Sequence, residues 1–317
     1  MNKLPRFGLG CAALPFGTTA AAHDAACSVI RHAAGLGVEW FDTSSLYSGG
    51  ANEAGVGNAL DGIPRDRYRL STKAGFVMDD EARAVSAVAG PGNTTRDYSY
   101  DFVMWSVERS LQRLRTDRLD LAMVHDPINS EQVQSAASGG IRALCELRTQ
   151  QVIAAVGAGM TILESMIELV EACEIDFLML PCWYHLIDHS ANETLLPRCQ
   201  EKSIPVVVAG PFAGGLLANP YAKEAHYNYY PPTPDDRLRA QTAAKVCERH
   251  GVSIKAAAIQ FPLRHQAVNA VMSGPKTIAE LEENLELMAV EVPGELWQEL
   301  GHALRAQDEF PPPSGDA

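Results

Sequence analysis

Short apolar runs alternate with longer amphipathic stretches from one end of the chain to the other. Phe7 to Cys11, Val38 to Thr43, Tyr68 to Lys73, Leu119 to Asp126, Ile153 to Gly159, Phe177 to Trp183, Ile204 to Gly210 and Ala267 to Gly274 read as buried strands. Between them, Ala22 to Leu36, Asp101 to Arg115, Glu131 to Gln150, Thr161 to Ala172 and Ala279 to Met288 carry apolar residues at the three- and four-residue spacing of a helix with one covered face. Asp101 and Thr161 stand where a side-chain oxygen would cap a helix start. Strand alternating with helix implies parallel pairing through right-handed crossovers. Eight such units in 317 residues predict an α/β fold, a closed (β/α)8 TIM barrel forming a single domain over residues 1–317. An open sheet binding a dinucleotide would show G-x-G-x-x-G in its first strand-to-helix turn; Gly157-Ala158-Gly159 is only a partial match, with Ile162 in the third glycine's place.

Three stretches fit neither pattern: Gly75 to Tyr100, Pro211 to Pro234, and Phe310 to Ala317. The first two follow predicted strands, so in a barrel they are long loops over the C-terminal, catalytic face. The last, with three consecutive prolines, reads as a surface tail.

Composition narrows the class. With 46% hydrophobic residues the chain can bury its own core without a disulfide or structural metal. The seven cysteines form no C-x-x-C pair and no zinc-type spacing, and their number is odd, which predicts reduced thiols in a cytoplasmic protein. The N-terminal residues are broken by glycine and proline rather than forming a signal segment, and no apolar run reaches membrane-spanning length. A net charge of -13, with basic residues scattered, makes nucleic acid and anionic membranes poor partners.

The chemistry of a barrel comes from polar residues where each apolar strand ends. Asp42 ends Val38-Glu39-Trp40-Phe41, Tyr47 follows five residues later, Lys73 ends Arg69-Leu70-Ser71-Thr72, and His125 ends Ala122-Met123-Val124. Each alone reads as structure: a cap, a loop aromatic, a solvated strand end, a half-buried histidine. Together, at three consecutive strand ends, they read as a proton-transfer device. A phenol is a poor base because its ordinary pKa is about 10, and an adjacent ammonium would bring it toward the working range. Asp42 would hold Lys73 charged, and His125 would orient the substrate oxygen.

At these residues the chain resembles the aldo-keto reductase superfamily. The motifs are Phe41-Asp42-Thr43-Ser44 with Tyr47, Asn52-Glu53 before Gly57, Ser71-Thr72-Lys73, Ser110-Leu111-Gln112-Arg113-Leu114 leading to Asp120-Leu121 and His125, and Gly274-Pro275-Lys276-Thr277 ending in Glu283-Asn284. The resemblance covers nearly the whole chain and implies a (β/α)8 barrel using NAD(P)H without a metal. It matches Asp42, Tyr47, Lys73 and His125 to the family's catalytic four, with Tyr47 as general acid/base. His125-Asp126-Pro127, Val156-Gly157-Ala158-Gly159-Met160 and Tyr227-Asn228-Tyr229-Tyr230-Pro231-Pro232 resemble the branch of L-fucose, L-galactose and D-threo-aldose 1-dehydrogenases and the similar pyridoxal 4-dehydrogenases. That branch oxidises a cyclic hemiacetal to a lactone. The chain departs from the superfamily where many members hold the nicotinamide amide with Ser-Asn and Gln: it reads Gly159-Met160-Thr161 and Pro181-Cys182-Trp183. The seventh strand also lacks the tyrosine that often stacks on the ring.

On the cofactor side, the small residues of Gly210-Pro211-Phe212-Ala213-Gly214-Gly215-Leu216 would bring backbone N–H groups to a pyrophosphate. The resemblance adds the strand ends Gly10-Cys11-Ala12 and Ser273-Gly274. Lys276 and Thr277, ahead of the helix with Glu283 and Asn284, suit an adenosine phosphate. Where NADP-preferring relatives often place an arginine, Glu280 would repel a 2′-phosphate and accept from a 2′-hydroxyl. NAD is therefore the expected cofactor, with NADP possible through Lys276.

The expected substrate is a small aldose or cyclic hemiacetal, met by Tyr47, His125, Asp126, Trp183 and Tyr229. Pyridoxal oxidation to its lactone and general aldehyde reduction are the enzymatic alternatives. A barrel that only binds the dinucleotide is the alternative from another class, and an activated phenol argues against it. A metal hydrolase would need more ligands than Asp42, His125 and Asp126 offer. The resemblance allows a monomer or a homodimer.

Overall fold

In the computed structural model, residues 4–86, 88 and 95–305 are described. Eight parallel strands close into a barrel in sequence order. They are β1 (Phe7–Gly10), β2 (Trp40–Asp42), β3 (Arg69–Ala74), β4 (Leu119–His125), β5 (Ile153–Gly159), β6 (Phe177–Pro181), β7 (Val206–Ala209) and β8 (Val268–Ser273). The ring closes where Phe7, Gly8 and Leu9 pair with Val271, Met272 and Ser273.

Around it run α1 (Ala20–Gly35), α2 (Ala51–Leu60), α3 (Asp80–Val85), α4 (Tyr100–Leu114), α5 (Ser130–Ser135), α6 (Ile141–Thr149), α7 (Leu163–Ala172), α8 (Leu195–Glu201), α9 (Pro234–Arg249), α10 (Ile254–Gln260), α11 (Ile278–Ala289) and α12 (Gly294–Arg305). The fold is the (β/α)8 TIM barrel that the alternation predicts. No helix among the described residues is long and apolar enough to cross a membrane.

The two-residue period of a strand divides its side chains between two cores. Trp40, Leu121, Met123, Phe177, Met179, Val207, Ala270 and Met272 fill the barrel interior, with Leu4 among them. Their neighbours Phe41, Leu70, Ala122, Val124, Val156, Leu178 and Val208 face outward into the helix layer. A further apolar cluster joins α9 and α12 to the loop after β7, through Ala240, Ala243, Val246, Leu296, Leu300, Leu304, Leu216 and Leu217.

Several elements differ from the sequence expectation. The helix expected over Glu131 to Gln150 is divided by a π-helical turn at Ala136–Gly140. A Cβ on Gly139 would lie 2.5 Å from the Tyr98 carbonyl, so the chain before α4 presses on the glycine pair there. Asp101 lies inside α4, whose cap is Ser99, and Thr161 precedes the cap of α7, Ile162. β6 stops at Pro181 because Cys182 and Trp183 turn left-handed, at φ 66° and 53°. Gly75 to Tyr100 contains α3, while its residues 87 and 89–94 and the tail Phe310 to Ala317 lie outside the described residues.

Candidate active site

Strand parity brings the four chemistry-bearing residues together. Trp40 and Leu121 point into the barrel, so Asp42 and His125, an even number of residues further along, point inward too. Asp42 pairs with Ser71, and Lys73, two residues on, pairs with Met123. The inward side chains therefore climb toward the C-terminal mouth from β2 to β4. Gly159 leaves space beside them, since a Cβ there would meet Met123 Sδ at 3.0 Å and Lys73 Cε at 3.7 Å.

The ion pair is deeply buried, with 3% and 4% of the Lys73 and Asp42 side chains exposed. Lys73 Nζ donates to Asp42 Oδ2 at 2.6 Å and to the Thr43 carbonyl at 2.8 Å. The other oxygen, Oδ1, accepts from Ser71 Oγ at 2.6 Å, and Ser71 accepts from the Trp40 indole at 3.0 Å. Such a pair is tolerable in the interior only with its remaining lone pairs and protons satisfied, as these are. Burial by itself would lower the Lys73 pKa, but Asp42 and then Tyr47 outweigh it and raise the ammonium above its ordinary range.

Tyr47 stands at the mouth with its ring centre 4.8 Å from the Lys73 ammonium. Here the structure corrects the expectation of a lowered phenol pKa. Burial raises it, and the charge of Lys73 only partly offsets that rise. The phenol holds its proton at neutral pH.

His125 meets the Tyr47 ring edge to face at 5.9 Å between centres. Its Nδ1 hydrogen-bonds Ser44 Oγ at 2.9 Å, and its carbonyl accepts from the Tyr98 hydroxyl at 2.7 Å. Burial, with the charges of Lys73 and Arg96, pushes its pKa well below the ordinary 6.5, so the imidazole is neutral. The site thus offers a protonated phenol, a neutral imidazole and a fixed ammonium: a proton donor or acceptor, an orienting group and a charge that stabilises phenolate.

Asp126 and Trp183, expected at the substrate, have their polar atoms engaged by the chain. Asp126 Oδ1 accepts from the N–H and hydroxyl of Thr161, and its Oδ2 lies 3.5 Å from Arg96. The Trp183 indole donates to the Thr161 carbonyl at 2.7 Å. Tyr229 is 63% exposed, on a turn closed by the paired backbones of Tyr227 and Tyr230. Its phenol lies near enough to Cys182, Tyr47 and Asp126 to be coupled to them electrostatically.

The expected cofactor residues occupy the other arc of the mouth, from β7 through β8 to β1. Gly210 N–H donates to the Met272 carbonyl at 2.9 Å, and a Cβ on Gly274 would meet the Gly10 carbonyl at 3.4 Å. The buried Cys11 N–H donates to the Asp42 carbonyl at 2.8 Å, while Ala12 beside it is exposed. In the loop after β7 the N–H groups of Ala213, Gly215, Leu216 and Leu217 donate to chain carbonyls. Those of Phe212 and Gly214 have no chain partner among the described residues. Pro211 is buried, and Gly214, at φ 70°, seats so closely on Asn228 that a Cβ would lie 2.4 Å from its carbonyl.

At the start of α11 the Thr277 hydroxyl accepts from Glu280 N–H at 3.1 Å, and the Glu280 carboxylate accepts from Lys276 N–H at 2.7 Å. Asn284 donates to Ser273 Oγ at 3.0 Å, holding α11 to the end of β8, and Glu283 pairs with Lys255 on α10. Free loop N–H groups, exposed glycines and a helix start beside Lys276 fit the phosphates of a dinucleotide. Among the described residues no three His, Cys, Asp or Glu side chains converge as metal ligands.

Supporting residues that the sequence left without a role follow from geometry. Asn52 bridges β1 and β2, donating to the Cys11 carbonyl at 2.8 Å and accepting from Thr43 at 2.6 Å. Glu53 is fully buried between Thr72, at 2.5 Å, and Arg113, at 2.6 Å. Ser71 was findable from its place two residues before Lys73. Ser44, Tyr98 and Arg96 act across loops, and no local spacing marks them.

The aldo/keto reductase family model matches residues 6–304. D-threo-aldose 1-dehydrogenase of a Pseudomonas species is 32% identical over 310 residues, covering 95% of this chain and 94% of that protein. Pyridoxal 4-dehydrogenase of Microbacterium luteolum is 29% identical over 286 residues, 83% of each chain. Among solved structures, the holo form of aldo-keto reductase AKR11C1 from Bacillus halodurans superposes with a TM-score of 0.76 at 26% identity, covering 94% of this chain and 91% of that one.

Proposed function

Because the chain belongs to the aldo/keto reductase family, whose members are NAD(P)-dependent oxidoreductases acting on hydroxyl and carbonyl groups, we propose that it oxidises the anomeric hydroxyl of an aldose to a lactone with NAD. The observation that carries the reading is Tyr47 at the mouth, backed by the buried Lys73–Asp42 pair and faced by neutral His125. The D-threo-aldose relative supports the substrate class.

A bound nicotinamide would supply the hydride acceptor for the hydrogen of C1. The chain's residues handle the proton. With Ser44 donating to Nδ1, His125 presents Nε2–H to the substrate oxygen and fixes its direction. Deprotonated Tyr47, stabilised by Lys73, takes the hydroxyl proton, and Asp42 keeps Lys73 aimed and charged. Phe212 and Gly214 N–H, Lys276 and the first turn of α11 would hold the phosphates.

The panel that tests this measures initial rates of reduced nicotinamide formation with NAD and NADP across L-fucose, L-galactose, D-arabinose, L-glucose and pyridoxal. Turnover of a sugar subset with NAD supports the reading. Turnover of pyridoxal alone replaces the substrate class, and silence with tight NAD binding removes the dehydrogenase.

The raised phenol pKa carries a pH signature. Oxidation needs Tyr47 without its proton, and burial holds that proton on past neutrality. Oxidative kcat/KM should therefore climb from pH 7 upward, approaching about tenfold per unit, while carbonyl reduction should not. A flat oxidative profile from pH 7 to 9 would contradict the role.

Glu280, fixed at the start of α11, places negative charge where a 2′-phosphate would approach. Glu280→Arg should raise the NADP to NAD ratio of kcat/KM by about tenfold or more, roughly 1.4 kcal/mol. An unchanged ratio would remove Glu280 from cofactor choice.

A further inference from the structure

Just past the ends of β4 and β6, three residues other than glycine hold left-handed backbone: Asp126 at φ 61°, Cys182 at 66° and Trp183 at 53°. Aspartate tolerates that region, whereas a bulky indole stays there only when its surroundings over-determine it. Two links hold Trp183: its carbonyl accepts from Ala191 N–H at 2.9 Å, and its indole starts a run of hydrogen bonds ending on Asp126. The indole N–H donates to the Thr161 carbonyl at 2.7 Å, and the N–H and hydroxyl of Thr161 donate to Asp126 Oδ1 at 2.8 and 2.6 Å. On the other side Arg96 lies 3.5 Å from Asp126 Oδ2 and stacks 4.5 Å over Phe76, whose ring meets His125 edge to face. The Asp126 N–H is pinned to the Gly159 carbonyl at 2.8 Å. One carboxylate thereby ties the ends of β4, β5 and β6 to the loop after β3.

We propose that Asp126 is a positioning residue: through Thr161 it sets Trp183 as the fixed wall against which the substrate ring packs beside His125. Both carboxylate oxygens face partners in the chain, so the group orders the pocket instead of reading a substrate hydroxyl. The indole supplies the broad apolar face on which the C–H face of a sugar, or an aromatic ring, rests. A side chain that only maintained the fold would affect cofactor and substrate alike, whereas this one affects the substrate alone.

The kinetic arm of the test rests on the dehydrogenase reading and uses whichever panel substrate the wild type turns over. Asp126→Ala should raise the substrate KM at least about tenfold, leave the NAD KM within about twofold, and lower kcat by less than KM rises. Asp126→Asn keeps an Oδ1 acceptor and tolerates the backbone, so it should return KM to within about threefold of wild type. An unchanged substrate KM in Asp126→Ala, or equal rises for substrate and NAD, overturns the proposal.

The second arm needs no turnover. Subtracting Trp183→Phe from its parent isolates the Trp183 part of acrylamide quenching, and Asp126→Ala should raise that part at least about twofold while Asp126→Asn does not. No rise overturns the proposal whatever the activity. A wild type silent on every substrate would count against the dehydrogenase reading and leave quenching to decide this one. Should Asp126→Ala not fold, Thr161→Val and Trp183→Phe replace it. Each should raise substrate KM and the pair no further than the larger single effect, whereas multiplying effects overturn the shared path.

Discussion

Tyr47→Phe should lower the rate of sugar oxidation by at least about 10³-fold, within the range for loss of a positioned acid or base, while NAD binds as in the wild type. The ring is kept, so its contacts with Lys73 and His125 survive and only the phenol oxygen is lost. Neither Lys73 nor His125 can replace it: Lys73 is held charged by Asp42, and burial keeps His125 a much weaker base than an ordinary histidine. Initial rates with saturating NAD, alongside titration of NAD binding, separate the two effects. A variant that keeps near wild-type kcat would remove Tyr47 from the chemistry.

Lys73→Met should cost both activity and stability, and the two losses should come apart in a second variant. Removing the ammonium strips Tyr47 of the one charge that opposes its burial, so turnover should fall about 10²-fold or more. It also leaves the Asp42 carboxylate buried with only Ser71 donating to it. Breaking such a pair typically costs about 3–5 kcal/mol, which a shift of the denaturant midpoint at unchanged slope would report. In Lys73→Met with Asp42→Leu no charge remains uncompensated, so most of the stability should return while activity stays lost. Return of activity in the double variant would show that the pair serves folding alone.

The contrast between these variants follows the line between what the sequence reveals and what it conceals. All eight strands are legible because buried parallel strands are nearly continuous apolar blocks, and the polar residue ending each block marks the mouth. Asp42, Lys73 and His125 are visible for that reason. Of the helices outside the five expected stretches, α12 carries the signal, burying Leu296, Leu300 and Leu304 at four-residue spacing, whereas α2, α9 and α10 have covered faces that are not continuously greasy. α2 buries Asn52, Glu53 and Gly55, and α10 buries Ala256, Ala257 and Ala258. α9 buries Arg239 with Ala240, Ala243, Val246 and Cys247, and its Thr233-Pro234 start and Asp236 capping box announce it better than its periodicity does. The left-handed run at Cys182 and Trp183 was hidden because its cause is tertiary: the indole is held by Thr161, twenty-two residues away. The Tyr47 pKa went the other way from expectation for a similar reason, since depth at the mouth cannot be read from the neighbour in sequence.

The most direct test of the account follows one atom. With L-fucose, or whichever panel aldose is turned over, deuterated at C1, mass spectrometry of the products should find one deuterium in the reduced nicotinamide and the sugar as its lactone. In Tyr47→Phe neither product should accumulate beyond a trace. Reduced nicotinamide without deuterium, or a sugar product other than the lactone, would contradict oxidation at the anomeric carbon.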